Sequence, residues 1–274
     1  MLKCYHDTMK YIIIKILNIL SKKILVKYEP VVIDIAGSVG KSDVKKAVCE
    51  LLKDKYKIAF NKNYYKTEIG IPLAIIGAES GGRSIIKWLK IIFSAFKIII
   101  KKTKYPEILI LEMNIKKPDE MKKILEVVQP NIGILTNIKK SSSCAKYFKN
   151  TKQIVKEKNI FLKSLKKKDL AILNYDDECI KDLAKNIRPK IIAYGFNNDS
   201  LIKAEEIFSG DNKMSFKVSY KGTTIPFRLP FSSDKEQVYT TLATIAIGIH
   251  FGYNLVEISE KLFNSEKSIK NKLK

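Results

Sequence analysis

The stretch Val31-Val-Ile-Asp-Ile-Ala-Gly-Ser-Val-Gly-Lys-Ser42 decides the fold. Val31 to Ala36 reads as a buried strand, Gly37-Ser-Val-Gly-Lys-Ser42 as a turn, and the residues onward to about Lys55 as a helix. Glycines in such a turn let backbone N–H groups face phosphate oxygens at a helix N-terminus, where the helix dipole also favours anions. Gly37, Ser38, Val39 and Gly40 are therefore candidate phosphate contacts. Lys41 is placed to reach β- and γ-phosphates, and the Ser42 hydroxyl to ligate Mg²⁺. The longer form of this motif needs glycine where Ile35 stands, so the loop is the shorter GxxGK[ST] type. An ordinary strand–helix turn is the alternative; the strand before and the helix after favour phosphate binding.

Further short apolar runs predict buried parallel strands at Glu107–Glu112, Asn131–Thr136, Asp169–Asn174 and Lys190–Tyr194. Helical patterns lie between them near 118–128, 151–166 and 176–187. This alternation predicts an α/β fold of the P-loop type, a doubly wound and mainly parallel sheet. Glu112 ends a core strand at the carboxyl edge, where such sheets bind ligands, and is the candidate second Mg²⁺ contact. After Gly195 the strands shorten and alternate, at 202–207, 213–220 and 223–229, with Lys221-Gly222 as a hairpin turn. A small antiparallel sheet appended to the main one is expected at about 200–230. Helices at 236–251 and 256–263 follow, then a lysine-rich tail over 264–274 that is expected to fray. The organisation read is an N-terminal basic helix over 1–29 and a nucleotide-type domain over 30–263.

The 274 residues are 46% hydrophobic, which supports a core and excludes wholesale disorder. Cys4, Cys49, Cys144 and Cys179 are scattered without metal-site spacing, which argues against structural zinc or a disulfide framework and fits a reducing cytoplasm. Only His6 and His250 exist, excluding a histidine-rich catalytic or metal site. The net charge is +23, yet of the 51 basic residues only Arg83, Arg188 and Arg228 are arginine, the usual base reader and phosphate clamp. Lysine-rich composition explains the charge better than a nucleic-acid surface does.

Two stretches bear on membranes. Tyr11-Ile-Ile-Ile-Lys-Ile-Leu-Asn-Ile-Leu20 is broken by Lys15, lacks a small-residue cleavage site, and suits neither a signal peptide nor a span. With lysines at 10, 15, 22, 23 and 27 it predicts a basic amphipathic helix, docked on its own domain or lying on an anionic membrane surface. Ile85-Ile-Lys-Trp-Leu-Lys-Ile-Ile-Phe-Ser-Ala-Phe-Lys-Ile-Ile-Ile100 has the same character, with Trp88 as an expected interfacial anchor or a buried surface helix as the alternative.

Several motifs in fixed order resemble the Mur ligase family. They are Ile35-Ala-Gly-Ser-Val-Gly-Lys-Ser42, Thr67-Glu-Ile-Gly-Ile-Pro-Leu73 and Leu111-Glu-Met-Asn-Ile-Lys-Lys-Pro-Asp-Glu120. Then come Gln129-Pro-Asn-Ile-Gly-Ile-Leu-Thr-Asn137, Ile154-Val-Lys-Glu-Lys158, Ile172-Leu-Asn-Tyr-Asp-Asp177 and Gln237-Val-Tyr-Thr-Thr-Leu-Ala-Thr-Ile-Ala246. The likeness covers about residues 30–263 and is nearest to the branch that joins UDP-N-acetylmuramoyl-tripeptide to D-alanyl-D-alanine in peptidoglycan precursor synthesis. It implies a cytoplasmic ATP- and Mg²⁺-dependent ligase that forms an amide through an acyl phosphate. It also implies phosphate and first-metal roles for Lys41, Ser42 and Glu112, and a carbamylated Lys158 holding a second Mg²⁺. Asn137, Asn174 and Asp177 would lie close to the nucleotide.

The sequence also departs from the family pattern. Ala36 and Ser42 stand where the family has threonine, and alignment puts Cys144, a soft ligand, where it has a metal-site histidine. Glu236-Gln237 replaces a histidine–asparagine pair, and Thr240 an adenine-side asparagine. Tyr64-Tyr65-Lys66 stands in an asparagine-rich loop, and Asn114 replaces a glycine. The family's UDP-sugar and amino-acid domains have no counterpart in this stretch. The resemblance therefore implies a ligase centre that is impaired, or that works with a protein partner supplying a C-terminal domain, with a UDP-muramoyl peptide and a D-amino-acid dipeptide as substrates. A nucleotide-binding pseudoenzyme or scaffold, and a basic membrane-surface or nucleic-acid-binding protein, are the other readings.

Overall fold

The computed structural model describes residues 2–61, 68–115, 117–139, 147–148, 150–210, 213–229 and 234–271. The central strand β1 (Val31–Ala36) has β3 (Ile108–Glu112) on one side and β4 (Ile132–Leu135) on the other, both parallel to it. β2 (Ile58–Phe60) extends the sheet beyond β3. On the other flank β5 (Leu170–Asn174), β6 (Lys190–Gly195) and β7 (Ile202–Gly210) add in parallel. β8 (Lys213–Tyr220) and β9 (Thr223–Leu229) complete it in antiparallel register.

The order is β2-β3-β1-β4-β5-β6-β7-β8-β9, a single sheet. The antiparallel strands expected as an appended sheet are thus its continuation. Ile202 and Lys203 pair with Tyr194 and Gly195, because β6 would otherwise present an open row of backbone donors and acceptors. A register shift between Glu205 and Phe208, where Glu206 has φ 47°, bends β7 away from that pairing. Lys221 and Gly222, at φ 48° and 82°, make the expected two-residue hairpin turn.

Period-two alternation puts Val32, Ala36, Leu109 and Leu111 on one face and Ile33, Ile35, Ile108 and Ile110 on the other. The second face is covered by α2 (Lys41–Leu52), α8 (Lys235–His250) and α9 (Leu255–Asn271). Helix α9 runs eight residues past the expected stop at Phe263, since no glycine or proline follows Gly252 to end it. The first face packs against α5 (Glu120–Leu125), α6 (Thr151–Ser164) and α7 (Glu178–Ala184). α3 (Gly70–Ile76) joins the same core; its Pro72 sits in the first turn, where a missing N–H costs nothing.

Helix α1 (Leu2–Tyr28) docks on its own domain through Leu17, Leu20 and Ile24, all buried. It lies against α3 and α4 (Ile85–Ile100). The Lys27 ammonium donates to the carbonyls of Ile98, Ile99 and Lys101 at 3.0, 2.9 and 2.6 Å, closing the C-terminus of α4. Trp88 is not an interfacial anchor. It is buried against Gly81, with Nε1 donating to the Gly82 carbonyl at 3.1 Å, which ties the α4 start to that turn.

Candidate functional site

The strand–turn–helix at Gly37–Ser42 forms as the sequence predicts, and the β4 end braces it. Gly37 has φ 143°, and a Cβ there would lie 2.0 Å from Thr136 Oγ1, so glycine is required twice over. Thr136 Oγ1 donates to the Val39 carbonyl at 2.6 Å. Asn137 Oδ1 accepts from the N–H groups of Ser38 and Val39 at 3.0 and 2.9 Å. Those two amides are thus turned onto Asn137 rather than outward. The amides of the first turn of α2 come next along the chain, at a helix N-terminus, where the dipole favours anions. Gly40, at φ 80°, starts that turn, and its carbonyl takes the first helical bond from Val44. Lys41 folds back over the loop, Nζ donating to the Ser38 carbonyl at 3.1 Å.

Pairing of Ile35 with Glu112 brings the β3 carboxylate level with the loop. Ser42 Oγ donates to Glu112 at 3.0 and 3.1 Å from its two oxygens. Sequence reading missed the residues that hold this carboxylate. Lys45 Nζ lies 3.1 Å from Glu112 Oε2 and also donates to the Asn61 carbonyl at 2.8 Å. Asn61 in turn bonds the Glu112 backbone twice, its Nδ2 to the carbonyl at 2.9 Å and its Oδ1 from the N–H at 2.8 Å. The available signal was spacing: Lys45 is one turn beyond Lys41, on the α2 face toward the sheet.

Lys158 is buried and lines a small cavity with Gly37, Ser38, Lys41, Asn114 and Glu157. Glu157 caps the α5 start, accepting from the N–H groups of Asp119 and Met121 at 2.9 and 3.3 Å. Cys144 and the Tyr64–Lys66 segment lie outside the described residues.

Asn174 and Asp177 sit on the same carboxyl edge with their polar atoms engaged. Asn174 Nδ2 donates to the Thr136 carbonyl at 2.9 Å. Asp177 caps α7, accepting from Cys179 and Ile180, and its other oxygen takes the Ile138 N–H at 2.6 Å. Asp176, unassigned by the sequence reading, accepts from Phe196, Asn197 and the Tyr239 hydroxyl at 2.7, 3.1 and 3.0 Å. Burial, then the Asp176 carboxylate, raises the Tyr239 phenol above its ordinary value, so it stays a donor.

Ser42 and Glu112 are a hydroxyl and a carboxylate, hard oxygen donors that fit Mg²⁺, which takes few protein ligands and completes its shell with water and phosphate. Among the described residues no three His, Cys, Asp or Glu side chains cluster as a self-sufficient metal site.

The fold and the braced loop define a P-loop-type α/β domain. Residues 35–248 match the Mur ligase middle domain, and the chain belongs to that family. It is 26% identical over 258 residues to the UDP-N-acetylmuramoyl-tripeptide–D-alanyl-D-alanine ligase of Borreliella burgdorferi, covering 92% of this chain and 48% of that protein. To the enzyme of the same description from Buchnera aphidicola it is 26% identical over 245 residues, 88% of this chain and 47% of the relative. Among solved structures, MurF from Acinetobacter baumannii superposes with a TM-score of 0.72 at 17% identity, over 90% of this chain and 49% of the other. MurF ligase from Thermotoga maritima, in complex with ADP, gives 0.71 at 19% identity, over 90% and 52%. The chain therefore spans about half the length of these relatives.

Proposed function

We propose that this chain supplies the ATP- and Mg²⁺-binding centre of a cytoplasmic Mur-type ligase, which activates a UDP-muramoyl peptide carboxylate and joins it to a D-amino-acid dipeptide. The observation that carries the reading is the Ser42 hydroxyl 3.0 Å from the Glu112 carboxylate at the first turn of α2, beside Lys41. A substrate carboxylate oxygen attacks the γ-phosphorus, the bond to ADP breaks, and the acyl phosphate is then attacked by the amine nitrogen, releasing inorganic phosphate. The first turn of α2 holds the phosphates by its N–H groups, and Lys41 neutralises charge that spreads over the transferred group. Ser42 and Glu112 would hold Mg²⁺, which would supply further neutralisation of the charge on the transferred phosphate. Lys158, carbamylated, would serve a second Mg²⁺. Asn137, Asn174 and Asp177 act as positioning residues that keep the loop and strand ends in register for the nucleotide. The amine-binding walls come from a further domain or protein partner that closes over this face.

Calorimetric titration with ATP and Mg²⁺ should show binding that Lys41→Ala abolishes; no heat with the native chain refutes the reading. ADP release that requires both the UDP-muramoyl peptide and D-alanyl-D-alanine supports the ligase. Nucleotide binding without such turnover, in the presence of the family's C-terminal domain, supports the pseudoenzyme or scaffold instead.

A further inference from the structure

The inner faces of α1 and α4 are buried, but each carries a second apolar row on its outer face. Ile12, Ile19 and Val26 recur every seven residues on α1, and Ile86, Phe93 and Ile100 do so on α4; all six are 50–77% exposed. Seven-residue spacing keeps each row on one side of its helix. The two helices pack side by side and end together, since Lys27 bonds the carbonyls of Ile98, Ile99 and Lys101 at the end of α4.

Charge selects the occupant. Residues 8–28 contain five lysines and residues 85–104 six, with no aspartate or glutamate in either stretch. Lys15, Lys22, Lys23, Lys87, Lys90 and Lys97 are all exposed. A second copy of this face would set lysine against lysine. An anionic lipid surface instead pairs with the ammonium groups, while aliphatic and phenyl side chains enter the boundary between headgroups and acyl chains. Lysine stems reach past the apolar rows to keep their charge at the headgroups. Among the described residues no helix is long and apolar enough to cross a membrane, so the pair lies on the surface rather than spanning it.

We propose that the outer face of the α1–α4 pair docks this protein peripherally on an anionic lipid bilayer. The proposal does not depend on the nucleotide reading, because the face is built from residues outside the loop and its carboxylate. The test is flotation of the full chain with vesicles of phosphatidylcholine containing roughly one-third phosphatidylglycerol, against phosphatidylcholine alone. The native chain should float with the anionic vesicles and release as salt rises. A triple variant, Ile86→Ser, Phe93→Ser and Ile100→Ser, changes only exposed side chains; it should keep its circular dichroism and thermal unfolding while partitioning at least ~tenfold more weakly. Lys87→Glu with Lys90→Glu should do the same by charge alone. The proposal is overturned if the native chain stays unbound, or if the triple variant binds as the native does. It is equally overturned if sedimentation shows a native dimer that the triple variant dissolves, which would assign the face to a second copy.

Discussion

Lys45 Nζ and Glu112 Oε2 lie 3.1 Å apart, both nearly inaccessible to solvent, although one belongs to the loop helix and the other ends the neighbouring strand. The pair locks the carboxylate in place beside Ser42 before any ligand arrives. A buried ion pair costs desolvation on both sides, so its main effect is on geometry; removing the lysine takes the ammonium partner from a buried carboxylate.

Lys45→Met should therefore destabilise the chain by about 3–5 kcal/mol. The double variant Lys45→Met, Glu112→Leu should regain much of that, since no charge is left unpaired. Urea unfolding of the single and double variants checks both statements. Nucleotide affinity should fall in both, because the carboxylate beside Ser42 is displaced in one and absent in the other.

Gly37→Ala should weaken Mg²⁺–ATP binding by at least ~tenfold, since the new methyl displaces Thr136 and with it the Val39 carbonyl bond. Adding Thr136→Ala relieves the 2.0 Å collision but leaves the φ of 143°, so recovery should be partial. Titration calorimetry on the two variants separates the clash from the backbone strain.

Asn137 offers a cleaner dissection of the loop. Asn137→Ala removes the acceptor for two amides and should cost about 1–3 kcal/mol of stability as well as affinity. Asn137→Asp keeps an acceptor at the same place but sets a negative charge beside the phosphates. It should hold the fold near the native melting temperature and still bind ATP poorly. Equal loss of stability in both variants would contradict the bracing role.

Asp34 lies fully buried in the middle of β1, and neither carboxyl oxygen meets a hydrogen-bond partner among the described residues. Burial drives its carboxyl well above the usual carboxylate range. A group whose folded value is raised contributes its stability below the unfolded value of about 3.9, and loses it as pH climbs through the folded value. The native chain should thus pay increasingly for this residue toward neutrality. Asp34→Val should stabilise by on the order of 1–3 kcal/mol at pH 7 and by less near pH 4. A gain that is flat with pH would show that titration of Asp34 plays no part.

Much of the architecture could be read because the central strands are apolar runs closed by one polar residue: residues 108–111 before Glu112 and 170–173 before Asn174, all buried. The edge strand Ile58–Phe60 escaped notice because it is three residues long, and Phe60 is exposed, leaving no alternation to detect. Ser42 and Glu112 were legible as chemistry, one from the loop motif and one from its place at a strand end. Lys45 and Asn61 were not. A lysine on a helix ordinarily reads as solvent-facing, and its burial here follows only from the β1–β3 register that carries Glu112 across to it. Asn137 was legible as a residue near the nucleotide, whereas its hold on the loop amides required the crossing of two strand ends.

The strand order has a consequence in time. From β4 to β9 each strand is laid beside its immediate predecessor, so that flank can zip up as it leaves the ribosome. β1 cannot, because its partners β3 and β4 are synthesised only after α2, β2, α3 and α4 have emerged. The strand that carries the phosphate loop therefore waits as an unpaired apolar segment, its closure charged with the entropy of a long intervening chain. Helix α2, immediately downstream, buries Val44, Val48 and Leu51 against that same strand's core and is the nearest shelter available during the wait.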